Sequence, residues 1–251
     1  MALLAFVFLF GLLGPMLVAA DPARQNLSRI LAPIGSDFLL GSDHLGRSML
    51  ARLAHATRLS AGLALLTVIS AAVPGTALGL VAAWRGGWTE RVLVALADGV
   101  LALPGLLLVL LLAALAPGDL WPLYLGLSLV LWVEYFRVVR ATATTLLASP
   151  QVEAARLLGF GPLHVVRRHV LPEIAPLIGT LMAFGAGAAV MAIGALSFVG
   201  IGLRPPVAEW GIMLTELLPY HAEAPGLLLL PAGMIFVTIL GLQLVGGRDP
   251  R

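Results

Sequence analysis

Two carboxylates, Asp98 and Glu134, lie within or beside apolar runs, "GGWTERVLVALADGVLALPG" and "LWVEYFRVV". Near a bilayer centre an acid costs about 2.5–3.5 kcal/mol on the insertion scale. Each therefore marks either a structural pairing or a substrate path. Arg137 follows Glu134 at helical pairing distance, which predicts a structural ion pair for Glu134 and Arg137. Asp98 is expected in a similar pairing, with both acids near the inner face. Neutral imidazole binds transition metals, but His44, His55 and His221 are scattered without ligand spacing, so no metal site is expected. All 15 basic side chains are Arg. With no lysine, a Walker-type phosphate grip is excluded, and any ATP, with its Mg, must be used by another chain. Cys is absent, which removes disulfides, thiolate ligands and thiol nucleophiles. No cluster of catalytic groups appears, so the chain is read as non-catalytic and without a bound cofactor.

The one long polar stretch is "QVEAARLLGFGPLHVVRRHVLP", residues 151–172. Ser149 can cap a helix and Pro150 suits its first position. Gly159 can end it in the left-handed conformation. A second short helix is expected to restart at Gly161-Pro162 and to stop before Pro172, because a residue preceding proline avoids helical dihedrals. Val165, Val166 and Val170 give it an apolar side. Two readings fit these residues equally: an amphipathic segment lying on lipid headgroups, or a docking site for a soluble partner.

These groups must be positioned by membrane helices. The chain of 251 residues is 60% hydrophobic and 11% charged, where a soluble domain would carry about a quarter charged residues. Net charge is +2, and the arginines form no continuous stripe, so nucleic-acid binding is not indicated. A crossing helix needs about 20 apolar residues, and six candidates are expected at 2–20, 59–83, 92–115, 121–139, 176–199 and 226–245. The first block lacks the basic start of a signal peptide and is read as a retained span. Arginine placement orients the bundle. With the N-terminus inside, Arg85, Arg91, Arg137, Arg140, Arg156, Arg167, Arg168, Arg248 and Arg251 are cytoplasmic. Arg24, Arg29, Arg47, Arg52, Arg58 and Arg204 are outside. Residues 1–58 are read as the first span plus an outer amphipathic segment, 59–245 as the core, and 246–251 as a cytoplasmic tail.

Glu153-Ala154-Ala155, then Gly159, then Leu171-Pro172 twelve residues later, resemble the "EAA" loop of ABC-importer permeases. "LGSDHLGRSMLARLAHATRLS" and "LSFVGIGLRPPVAEWGIML" resemble the second permease subunit of dipeptide, oligopeptide and nickel importers. The likeness runs from about residue 40 to the end, with "DHLGR…ATRLS" slightly nearer the nickel type. Ser48 departs from the acid usual there, and Glu173 from the usual Asn.

The resemblance implies an all-α polytopic bundle of the type I (MetI-like) permease fold in a bacterial inner membrane. The implied partners are a second homologous permease, two ATPase chains and an extracytoplasmic solute-binding protein, besides membrane lipid. Glu153 would anchor the coupling loop by polar contacts, and Ala154 and Ala155 would lie against a partner. Gly159 would supply the bend, with Arg156, Leu171 and Pro172 in the same contact segment. Arg167 and Arg168 are added on position alone, against a reading as solvated surface. Glu209 and Trp210 would lie on the outer surface where the binding protein docks, against a reading as a structural re-entrant segment. The rival class is a stand-alone secondary transporter or channel. A secondary carrier would show paired broken helices and a mid-membrane ionisable group, and the sequence suggests neither.

Overall fold

The computed structural model describes residues 1–18, 20–35, 38–116 and 118–247. Of the expected tail 246–251, Gly246 ends the last helix and Gly247 caps it, while Arg248 and Arg251 lie outside the described residues. Among those described there are helices and a single bridge between Ser42 and Ser48, with no strand. In chain order the α-helices are α1 (Ala2–Leu17), α2 (Met49–Arg85), α3 (Gly87–Leu101), α4 (Gly105–Leu115), α5 (Leu120–Leu147), α6 (Pro150–Leu157), α7 (Pro162–Val165), α8 (Leu171–Phe198), α9 (Trp210–Leu217) and α10 (Pro225–Gly246).

Helix α2 begins ten residues before the apolar run expected to span. Ser48 opens it, and the segment over Met49–Thr57 is largely buried beneath neighbouring elements rather than lying at an interface. Its other end stops at Gly86, whose φ of +60° breaks the helical path. Gly75 and Gly79, one turn apart, let α5 approach closely. A Cβ on Gly75 would stand 2.6 Å from the Trp132 carbonyl oxygen, and one on Gly79 would stand 2.9 Å from that of Phe136. Small residues at this spacing are the usual device for bringing two membrane helices into backbone contact.

The expected continuous span at 92–115 is broken. Helices α3 and α4 meet at 77° across Ala102–Pro104, because Pro104 has no N–H to donate and restricts the residue before it. Among the described residues four helices are long and apolar enough to cross a membrane: α2, α5, the run Pro162–Phe198, and α10; the α3–α4 pair makes a fifth if counted as one broken span. Helix α1 is apolar but has 16 residues, about 24 Å at 1.5 Å per residue, short of the roughly 30 Å hydrocarbon core. The expected span at 2–20 is thus too short to cross as a straight helix along the bilayer normal.

The segment expected to stop before Pro172 does not stop. A π-helical turn at Val166–Val170 joins α7 to α8, Leu171 has helical dihedrals, and its N–H donates to the Val166 carbonyl. A proline inside an α-helix clashes with the carbonyl four residues before it. The extra residue of a π turn shifts that register, so Pro172 is accepted in the first turn of α8.

Candidate functional site

Ser149 enters α6 in extended conformation and Pro150 occupies its first turn, but the Ser149 side chain makes no capping bond. Its carbonyl instead accepts from the Val152 and Glu153 N–H groups, each at 3.1 Å. At the far end Gly159 has φ +81°; its N–H donates to Arg156 and that of Phe160 to Ala155. This left-handed closure satisfies the last carbonyls of the helix and turns the chain into α7. The elbow is tied to the spans from beneath. Val152, Ala155, Val165, Val170 and Ile174 are buried with Val139 and Ala143 of α5. The Arg156 guanidinium lies over the Trp84 ring at the end of α2, 5.0 Å from its centroid.

On the opposite side the elbow is greasy. Leu157, Leu158 and Leu163 are 83%, 77% and 69% exposed, with Phe160 beside them stacked on His164. Glu153, Ala154, Arg156, Arg167, Arg168, Leu171 and Pro172 are also exposed. Ala155 is not; it is buried in the cluster that includes Val139 and Ala143 of α5. Glu153 makes no side-chain hydrogen bond or ion pair among the described residues.

At the other end of the bundle lies a group of charges whose pairing residue order does not reveal. Asp43 accepts from Arg47 Nε at 2.6 Å and from Arg52, while Glu216 of α9 accepts from Arg47 at 3.0 Å and also from Arg52. Arg47, Arg52 and Asp43 are almost wholly buried. Burial by itself pushes the Asp43 carboxyl up. The N–H groups of Arg47 and Leu45 and the Arg52 guanidinium outweigh it and hold the group below the usual carboxylate range. The signal for this network was the "DHLGR" run. Gly46 has φ +71°, and a Cβ there would stand 1.8 Å from the Asn26 carbonyl oxygen, so the turn that aims Asp43 back at Arg47 demands glycine. Ser48, in place of the usual acid, opens α2, and the pairing is carried by Asp43 and Glu216 instead.

Residues 75–246 match the family of binding-protein-dependent transport system inner membrane components. The chain belongs to this family. The permease is 36% identical, over 98% of its length and 82% of the relative's, to the di/tripeptide transport system permease protein DppC of Pseudomonas aeruginosa (strain UCBPP-PA14). It is 31% identical, over its full length and 86% of theirs, to peptide transport system permease proteins of Brucella suis biovar 1 and Brucella abortus biovar 1. Its fold is similar to that of a chain in the MetNI methionine ABC transporter, solved in inward-facing conformations, with TM-score 0.60 at 16% identity over 79% of this chain and 94% of that one.

Two sets of expected site residues in the permease need correction. Glu209 and Trp210 are each 1% exposed and present no docking surface. Glu209 caps α9, accepting from Gly211 and Ile212 N–H at 2.8 and 3.1 Å and from Ser60 of α2 at 3.1 Å. Burial drives its carboxyl above the usual range despite those donors. Trp210 packs with Met49, Leu53 and Met213, because α9 is pressed onto α8 where Gly211 meets the Gly194 carbonyl.

The second correction concerns Glu134, which does not pair with Arg137. Arg137 reaches across to Asp98 of α3 at 2.6 Å, and Arg140 pairs with Glu90. A partner on the neighbouring helix outcompetes the one a turn away. His44 stacks on Tyr220, His221 meets the Leu218 carbonyl, and His55 lines a cleft of about 610 Å³ with Arg58.

Proposed function

We propose that the permease is one of two homologous membrane subunits of a bacterial ATP-driven importer that admits di- or oligopeptides by alternating access. Two ATPase subunits, which bind ATP and Mg, act on the α6–α7 elbow, and an extracytoplasmic solute-binding protein delivers cargo from the opposite side. In this reading α1 and the broken α3–α4 pair complete six spans, with both termini cytoplasmic.

The observation that carries the reading is the two-sidedness of the elbow. Leu157, Leu158, Phe160 and Leu163 project as an apolar tip, while Val152, Ala155, Val165 and Val170 bind the same short segment to α5 and α8. Such a tip favours a protein cleft that excludes water. A rigid base passes a push on the tip to the spans, and it does so only if the tip binds one ATPase state better than the other. Peptide cargo is supported by the names of the relatives; the likeness of "DHLGR…ATRLS" to nickel-type subunits makes nickel the competing cargo.

Co-purification of the tagged permease and uptake by the reconstituted complex test both parts. An ATPase and a second permease should accompany it, and labelled dipeptide should accumulate only with ATP. Isolation of the chain alone with transport activity would overturn the assembly, and uptake of nickel without peptide would overturn the cargo.

A further inference from the structure

Glu134 lies midway along α5, exposed, with no hydrogen bond or ion pair among the described residues. The two arginines that follow it on α5 are already engaged, Arg137 with Asp98 and Arg140 with Glu90. Each of those pairs is neutral, so the face keeps one net negative charge. Arg137, Thr144 and Thr145 follow Glu134 at helical spacing and are exposed with it, making a polar stripe along one half of the helix, interrupted only by the small Ala141.

A second observation falls at the same place. The break between α3 and α4 leaves Ala102, Leu103 and Pro104 exposed. Helix ends there carry backbone donors and acceptors without intrahelical partners. The break is fixed beside Glu134 by contacts on either side of it. Gly105 lies against Val130, four residues before Glu134, and Asp98 holds Arg137, three residues after it. Hydrocarbon tolerates neither an unpaired acid nor exposed irregular backbone; both are found at membrane depth where they face protein or water.

We infer that this surface, from the α3–α4 break to the Glu134 stripe, lines the aqueous cargo path, and that the Glu134 carboxylate is a transient station for a cationic group of the cargo. Resting on the peptide reading above, that group is the α-ammonium of a di- or oligopeptide. A charge-assisted hydrogen bond suits it, and a lone acid without supporting donors holds it loosely enough to let it leave.

The chain has no Cys, so Glu134→Cys in the assembled complex gives a single reactive site on this subunit. A membrane-impermeant charged thiol reagent should modify it in vesicles with the cytoplasmic side exposed, and excess dipeptide should slow the modification. In parallel, Glu134→Gln should lower the uptake preference for a free-amine dipeptide over its N-acetylated form about tenfold, the worth of one charge-assisted bond. Absence of labelling, an unchanged preference, or loss of the second permease from both variants on co-purification would overturn the inference; the last result would make Glu134 a subunit contact. If the unaltered complex takes up no peptide, the cargo reading fails by itself, and the labelling still decides whether Glu134 faces water.

Discussion

Arg47, in the turn before α2, donates to Glu216 of α9 at 3.0 Å, joining two segments 169 residues apart beneath a nearly complete cover of protein. With Arg52 and Asp43 the group is electrically neutral, two guanidiniums against two carboxylates. Such an arrangement adds little if exchanged whole for apolar side chains, but it is costly to break singly.

Glu216→Ala should therefore destabilise the permease by about 3–5 kcal/mol, the range for stranding a buried charge. The measurement is the thermal midpoint of the detergent-solubilised complex. Combining it with Arg47→Met should recover part of the loss, because one stranded guanidinium is removed. A double variant no better than the single one would argue against direct pairing.

Acid should loosen the same region. The folded-state pKa of Asp43 is lowered, so its contribution is fully present above the ordinary carboxylate range and is lost as pH falls through the folded value. His44, Glu216, Arg47 and Arg52 face it. Stability measured against pH should fall more steeply below about pH 4 in the unaltered protein than in Asp43→Asn. Equal slopes would show that Asp43 does not supply the dependence.

Gly159→Pro should uncouple ATP hydrolysis from uptake while leaving insertion intact. Proline fixes φ near −65°, whereas Gly159 needs +81°, and the position itself is open to solvent. The elbow is redirected without a core clash. Glu153→Lys, a charge reversal on an exposed side chain, should weaken ATPase retention with little change in thermal midpoint. Normal uptake in both variants would refute the coupling role.

Gly75→Ala tests the backbone contact between α2 and α5. The added methyl would stand 2.6 Å from a backbone oxygen, so the helices must separate, at about 1–3 kcal/mol for overpacking. Gly62→Ala, with nothing within 4 Å, is the control and should be close to neutral. A neutral Gly75→Ala would mean that this helix pair is looser than described.

Much of the bundle was legible in residue order. Hydrophobic runs locate helices because a lipid core forces every backbone group into an intrahelical bond, and Gly159 announced its own turn because few other residues adopt that conformation. The break in α3–α4 was signalled by Pro104, yet a single proline does not say whether a helix kinks or parts. Pro172 gave the opposite error, since a π turn absorbed it.

Composition and spacing by themselves settled that this is a helical membrane protein with one polar elbow, no thiol and no lysine. Those facts follow from counts and from local conformational preference. Which charge meets which was decided only in three dimensions. Arg137 took Asp98 rather than Glu134, Arg47 and Arg52 took Glu216 from far along the chain, and Trp210 went into the core rather than to a surface. Pairing energy depends on distance in space and on the surrounding dielectric, and a linear sequence encodes neither.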